Sequence, residues 1–154
     1  MKVQTKIFNF EDGIDLENRA KLTSFELIVE MYGELNEDKS NAVLLCHAFS
    51  GNHHAAGKND KGLLGWWDQL VGPEKAIDTN KYFVVCCNNL GGCSGSSGPI
   101  SINPDNGEIY GSSFPQVSVV DWVNSQKMLT DKLGISKWHF IAGGSLGGMQ
   151  ALQW

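Results

Sequence analysis

Three short apolar runs constrain the fold of this chain more than any other feature. They are Ala42-Val-Leu-Leu-Cys46, Tyr82-Phe-Val-Val-Cys-Cys87 and Trp138-His-Phe-Ile-Ala142. Each is too short for a helix and too apolar for a strand with one wet face. Each therefore reads as a strand buried on both sides. His139, inside the third run, reads as structural. Phe25 to Met31 adds a partly alternating strand, closed by the polar turn Asn36-Glu-Asp-Lys-Ser40. Between the second and third runs, Val119, Trp122, Val123, Gln126, Leu129 and Leu133 recur at helical spacing. Ser118-Val-Val-Asp121 resembles a capping box with Asp in place of Glu, and Gly134 stands where a C-terminal cap belongs. Strand, helix, strand in that order is a βαβ unit and implies a parallel pair. The fold class is α/β, with a sheet covered by helices on both faces.

The third run leads into Gly143-Gly-Ser-Leu-Gly147, which matches G-x-S-x-G. A strand before it and an apolar helix start after it are the context that motif requires. A serine on so sharp a turn has its hydroxyl pushed above the sheet, and the small neighbours let strand and helix approach closely. Ser145 is the candidate nucleophile. The amide of Leu146 points at the same space, and the helix N-terminus adds partial positive charge. The alternative is a glycine-rich turn in which Ser145 only caps a helix. His47-Ala-Phe-Ser-Gly51 follows the strand ending at Cys46, where a second oxyanion donor arises in this architecture, and Phe49 is the candidate. The alternative there is a plain turn, with His47 packed at a strand end.

Other chemistries find less support. Asn88 to Pro99 is glycine-rich but lacks both G-K-[ST] and G-x-G-x-x-G, so it reads as a flexible loop over the sheet, compatible with lining a pocket. His47, His53 and His54 have no carboxylate or thiolate spaced to complete a metal shell, so no metal is expected. Cys93 has no evident partner histidine, and Cys46, Cys86 and Cys87 read as small core hydrophobes of a reduced, cytosolic protein. The net charge of −5 is spread thinly and Arg19 is the only arginine. That argues against a nucleic-acid partner. The N-terminus lacks a leader pattern and no run reaches the length of a membrane span. Two long loops, His47 to about Gly65 and Asn88 to about Pro115, are expected to be functional or mobile. Residues 1–154 read as one incomplete domain. Leu146 to Trp154 starts a buried helix without an exit signal.

Taken together, the motifs resemble those of the homoserine O-acetyltransferase family, acyltransferases with an α/β-hydrolase fold. The blocks that carry the likeness are Glu30-Met-Tyr-Gly-Glu-Leu-Asn36, His47-Ala-Phe-Ser-Gly51, His54-Ala-Ala-Gly57, Gly65-Trp-Trp67, Gly72-Pro73 and Lys75-Ala-Ile-Asp78. They continue through Asn88-Asn-Leu-Gly-Gly-Cys93, Gly98-Pro99, Ser101-Ile-Asn-Pro104, Tyr110-Gly111, Phe114-Pro115 and Gly143 to Trp154. The resemblance covers nearly the whole chain.

The resemblance implies an α/β-hydrolase fold truncated after the nucleophile elbow. It implies Ser145 as the acyl-accepting serine, with the Phe49 and Leu146 amides as the oxyanion hole. The family often has Leu and Met at these two positions, and backbone donors tolerate the change. The Asn-Leu-Gly-Gly loop resembles part of the wall of the active-site tunnel, and Asn52, Gly91 and Gly92 are assigned to the substrate pocket. No cofactor is expected to be resident. Acetyl-CoA or succinyl-CoA is the co-substrate and L-homoserine the acceptor, in methionine biosynthesis in the cytoplasm, with the whole protein a homodimer. The family's triad Asp and His and its substrate-binding Arg lie beyond the nucleophile helix, so the chain alone is expected to be inactive. A serine esterase of the same fold, a succinyl donor and serine as acceptor remain alternatives.

Overall fold

A computed structural model describes all 154 residues. In chain order the strands are β1 (Val3–Phe10), β2 (Ile14–Asp15), β3 (Lys21–Leu22), β4 (Phe25–Tyr32) and β5 (Ala42–Cys46). They continue with β6 (Val71–Gly72), β7 (Ile77–Asp78), β8 (Phe83–Cys87) and β9 (Phe140–Gly143). The helices are α1 (Val119–Leu133) and α2 (Leu146–Gln153). Five strands form one sheet in the order β1-β4-β8-β5-β9, while β2 pairs with β3 and β6 with β7. β8, β5 and β9 run parallel, and β1 and β4 join antiparallel, so the sheet is mixed.

The runs at β5 and β8 behave as their composition dictates. Side chains alternate across the pleat. Ala42, Leu44 and Cys46 enter one core, and Val43 and Leu45 enter the other. The expected helix forms with its full capping box: Ser118 Oγ accepts from the Asp121 amide, and Asp121 Oδ2 accepts from the Ser118 amide at 2.8 Å. Gly134 ends it in the left-handed conformation at φ 65°. Gln126, the one polar member of its apolar stripe, is buried. Its Nε2 donates to Gln150 Oε1 at 2.5 Å, and its Oε1 accepts from Trp154 Nε1 at 2.7 Å. The polar pair thus joins α1 to α2.

Three expectations change. First, α1 connects β8 to β9, which are parallel but not neighbours, because β5 lies between them. Second, helices cover only one face. The other core is closed by the irregular segment holding Ala55, Ala56, Val71 and Ile77, with Trp66 and Trp67 packed against it. The Trp66 indole N–H donates to the Asn52 carbonyl at 2.9 Å, which anchors that segment. Third, the strand after Trp138 starts later, at Phe140, and all four of its residues are only half-buried. Only β5 lies beside it, so one of its sides stays open. His139 precedes it, exposed, with its ring 5.1 Å from that of Tyr82. No helix is long and apolar enough to cross a membrane.

Candidate active site

Ser145 stands between β9 and α2 at φ 53°, ψ −123°. A non-glycine residue there costs about 1–3 kcal/mol and persists only when its surroundings impose it. The imposing contacts are visible. A Cβ on Gly143 would lie 2.5 Å from the Gly147 carbonyl, and a Cβ on Gly147 would lie 2.0 Å from the Cys46 carbonyl oxygen. Only glycine lets the helix press this closely on the strand ends. The result leaves Ser145 exposed at the C-terminal end of β9, with no capping bond from its side chain. The turn is therefore not a simple serine cap.

Leu146 is the first residue of α2, so its amide has no helical carbonyl to bond. Phe49 lies in the turn after β5, and its amide donates to no backbone carbonyl. The residue is 89% exposed. Phe49 and Leu146 both line one cavity of about 270 Å3, together with Asn89, Gly91, Gly92 and Trp122. A larger hollow of about 530 Å3 lies at the open side of β9 and contains none of these residues.

Sequence reasoning placed Asn52 with this group, and the structure does not. Asn52 is absent from the cavity lining. Its Oδ1 accepts from the His54 amide at 2.8 Å, closing a local turn. Gly91 and Gly92 do line the cavity. The loop that carries them is not free to move over the sheet, because it finishes the ladder of β4. Ser97 Oγ accepts from the Glu26 amide at 2.8 Å and Ser96 Oγ from the Ile28 amide at 3.1 Å.

None of the four histidines bonds Ser145. His139 is at the opposite end of β9. His54 Nδ1 lies 2.8 Å from Glu30 Oε2, and its Nε2 lies 3.2 Å from the Leu63 carbonyl. Glu30 also accepts from the Tyr32 hydroxyl at 2.5 Å, which in turn accepts from the Ala55 amide at 2.7 Å. That buried chain holds the segment after β5 in place. Burial holds the His47 imidazolium below the ordinary histidine range, and it does the same to His53. No group of three or more His, Cys, Asp or Glu side chains is arranged to hold a metal ion. Asn89, in the Asn-Leu-Gly-Gly loop, lines the cavity, and sequence reasoning missed Trp122 as a cavity wall. Trp122 reads from the sequence as a core position, yet its indole N–H donates to the Leu90 carbonyl at 2.7 Å at the cavity rim.

A family model of the alpha/beta hydrolase fold matches residues 41–154. The chain is 57% identical over 157 aligned residues to a homoserine O-succinyltransferase of Psychrobacter arcticus, covering 99% of this chain and 35% of that protein. Among solved structures it is similar to esterase E22, with TM-score 0.91 and 40% identity over 99% of this chain and 44% of that one. It is also similar to a homoserine O-acetyltransferase from Bacillus anthracis, with TM-score 0.91 and 39% identity, covering 100% of this chain and 43% of that one. The chain spans 35% to 41% of the length of the curated relatives it matches.

Proposed function

The chain belongs to the alpha/beta hydrolase fold family, and we propose that it forms the N-terminal part of a homoserine O-acyltransferase. The observation that carries the reading is the strained elbow serine next to Leu146, which lines one cavity with Phe49, the amides of both lacking a backbone partner. Ser145 Oγ attacks the thioester carbonyl of an acyl-CoA. The Phe49 and Leu146 amides hold the oxyanion of the tetrahedral intermediate. The C–S bond breaks, the proton taken from Ser145 passes to the CoA thiolate, and an acyl-serine remains. The side-chain hydroxyl of L-homoserine then attacks the ester, and O-acylhomoserine leaves with Ser145 restored. The base for both steps comes from the remainder of the protein, since no histidine of this chain reaches Ser145.

Succinyl-CoA is the donor we favour over acetyl-CoA. Relatives at 56% to 60% identity carry the succinyltransferase name, whereas the acetyltransferase above is 39% identical. Asn89, Gly91 and Gly92 form the pocket wall in this reading. The product suits methionine biosynthesis in the cytoplasm by a homodimeric enzyme. A serine esterase is the second reading, supported by the likeness to esterase E22. The test supplies the full-length protein with succinyl-CoA or acetyl-CoA, with and without L-homoserine. CoA release that depends on homoserine and yields O-succinylhomoserine supports the proposal. Ester hydrolysis indifferent to homoserine supports the esterase instead.

A further inference from the structure

His47 is the only fully buried histidine of the chain, at 4% exposure, and both of its ring nitrogens are engaged. Nε2 lies 3.0 Å from the Asn89 amide nitrogen. A backbone amide can only donate, so Nε2 is the unprotonated nitrogen. Nδ1 therefore carries the hydrogen and donates it to the Ala48 carbonyl oxygen at 2.7 Å. The partners thus fix one neutral tautomer, with no nitrogen left to take a proton from Ser145.

The Ala48 carbonyl belongs to the same peptide unit as the Phe49 N–H. That unit is planar and trans, so its C=O and N–H point in opposite directions. A carbonyl drawn toward His47 sends the Phe49 N–H away from it. If that peptide turned over, an oxygen would stand where the donor had been. The second bond of the imidazole reaches the backbone at Asn89, which shares the cavity wall with Gly91 and Gly92. Gly51 closes on the base of the side chain, where a Cβ would lie 2.8 Å from His47 Cβ, and its amide donates to the same Ala48 carbonyl at 2.9 Å.

We propose that His47 is a positioning residue for acyl transfer, locking the Ala48–Phe49 peptide with its N–H toward the oxyanion and fixing it against the Asn89 wall. This rests on the acyl-transfer reading above. Losing both imidazole bonds leaves the Ala48 carbonyl with only its bond from the Gly51 amide at 2.9 Å and the Asn89 amide without its acceptor, which loosens the donor peptide and slows acylation without weakening binding of the acyl donor.

The test uses the full-length protein and a chromogenic acetyl ester, so that acylation is read without any acceptor. His47→Phe keeps the ring but loses both bonds. His47→Asn keeps a donor near the Nδ1 position, and His47→Gln keeps an acceptor near the Nε2 position. Thermal midpoints are measured alongside. The Phe variant is expected to lose about 10²-fold in acylation rate, the scale of one lost oxyanion donor, with KM for the ester little changed. The Asn variant is expected to recover most of that loss and the Gln variant little of it. Equal rates for Asn and Phe variants, a wild-type rate for Phe, or losses that only follow the thermal midpoint would overturn the proposal. A wild-type protein that acylates with the ester but never transfers to homoserine would refute the function proposed above and leave the role of His47 standing.

Discussion

The carbonyl oxygen of Cys46 lies 2.0 Å from the place a Cβ on Gly147 would occupy. This contact presses the start of α2 onto the end of β5 and so sets the turn that strains Ser145. Gly147→Ala must push the two apart. Overpacking of this kind costs about 1–3 kcal/mol. We expect a lower urea midpoint and loss of Ser145 acylation together. A variant with both unchanged would show that the elbow does not depend on this approach.

In the proposed oxyanion hole Phe49 contributes its amide, and the residue is 89% exposed. Phe49→Ala is therefore expected to acylate within about threefold of wild type, because the backbone donor remains. Phe49→Pro deletes the N–H and is expected to cost about 10²-fold or more. Burst kinetics with a chromogenic ester separate the two. Equal losses in both variants would assign the effect to the ring.

Asp121 does more than complete a capping box. Its Oδ1 accepts from the Glu17 amide at 2.8 Å, which ties the β2–β3 turn to α1. Ser118→Ala is expected to cost about 1 kcal/mol. Asp121→Ala loses the box and strands the Glu17 amide, so it is expected to cost more, about 1–3 kcal/mol. Urea unfolding of both variants gives the order, and the reverse order would contradict this account.

The buried thiols make stability fall in alkali. Burial pushes Cys87 up to about 12 from the ordinary 9.0, and Cys46 and Cys86 also rise for the same reason. Above pH 9.0 the unfolded chain gives up these protons while the native state keeps them. The native state then binds more protons, so stability is full below 9.0 and declines as pH rises toward the folded values. Unfolding free energy measured across this window should slope downward, less steeply in Cys87→Ala. A flat profile would contradict the burial. At neutral pH only Cys93, the exposed thiol, is expected to react with a thiol reagent in the native state.

What the sequence made legible was what local pattern controls. β5, β8 and α1 with its caps follow from apolar runs, a 3.6-residue period and a Ser/Asp box. The elbow follows from glycines at fixed offsets around Ser145. β1 was not legible, since six of its eight residues are exposed and only Phe8 and Phe10 enter the core. The insertion of β5 between β8 and β9 depends on pairing far along the chain, which no local period encodes. Asn52 lies outside the cavity lining because its side chain serves a turn two residues away. His47 stayed hidden because the partner that fixes its tautomer is 42 residues distant.

The most direct test of the central claim is the intact mass of the full-length protein after exposure to succinyl-CoA or acetyl-CoA without homoserine. The account predicts one added acyl group, located on the peptide that contains Ser145 and absent from Ser145→Ala. An acyl group retained in Ser145→Ala would contradict it.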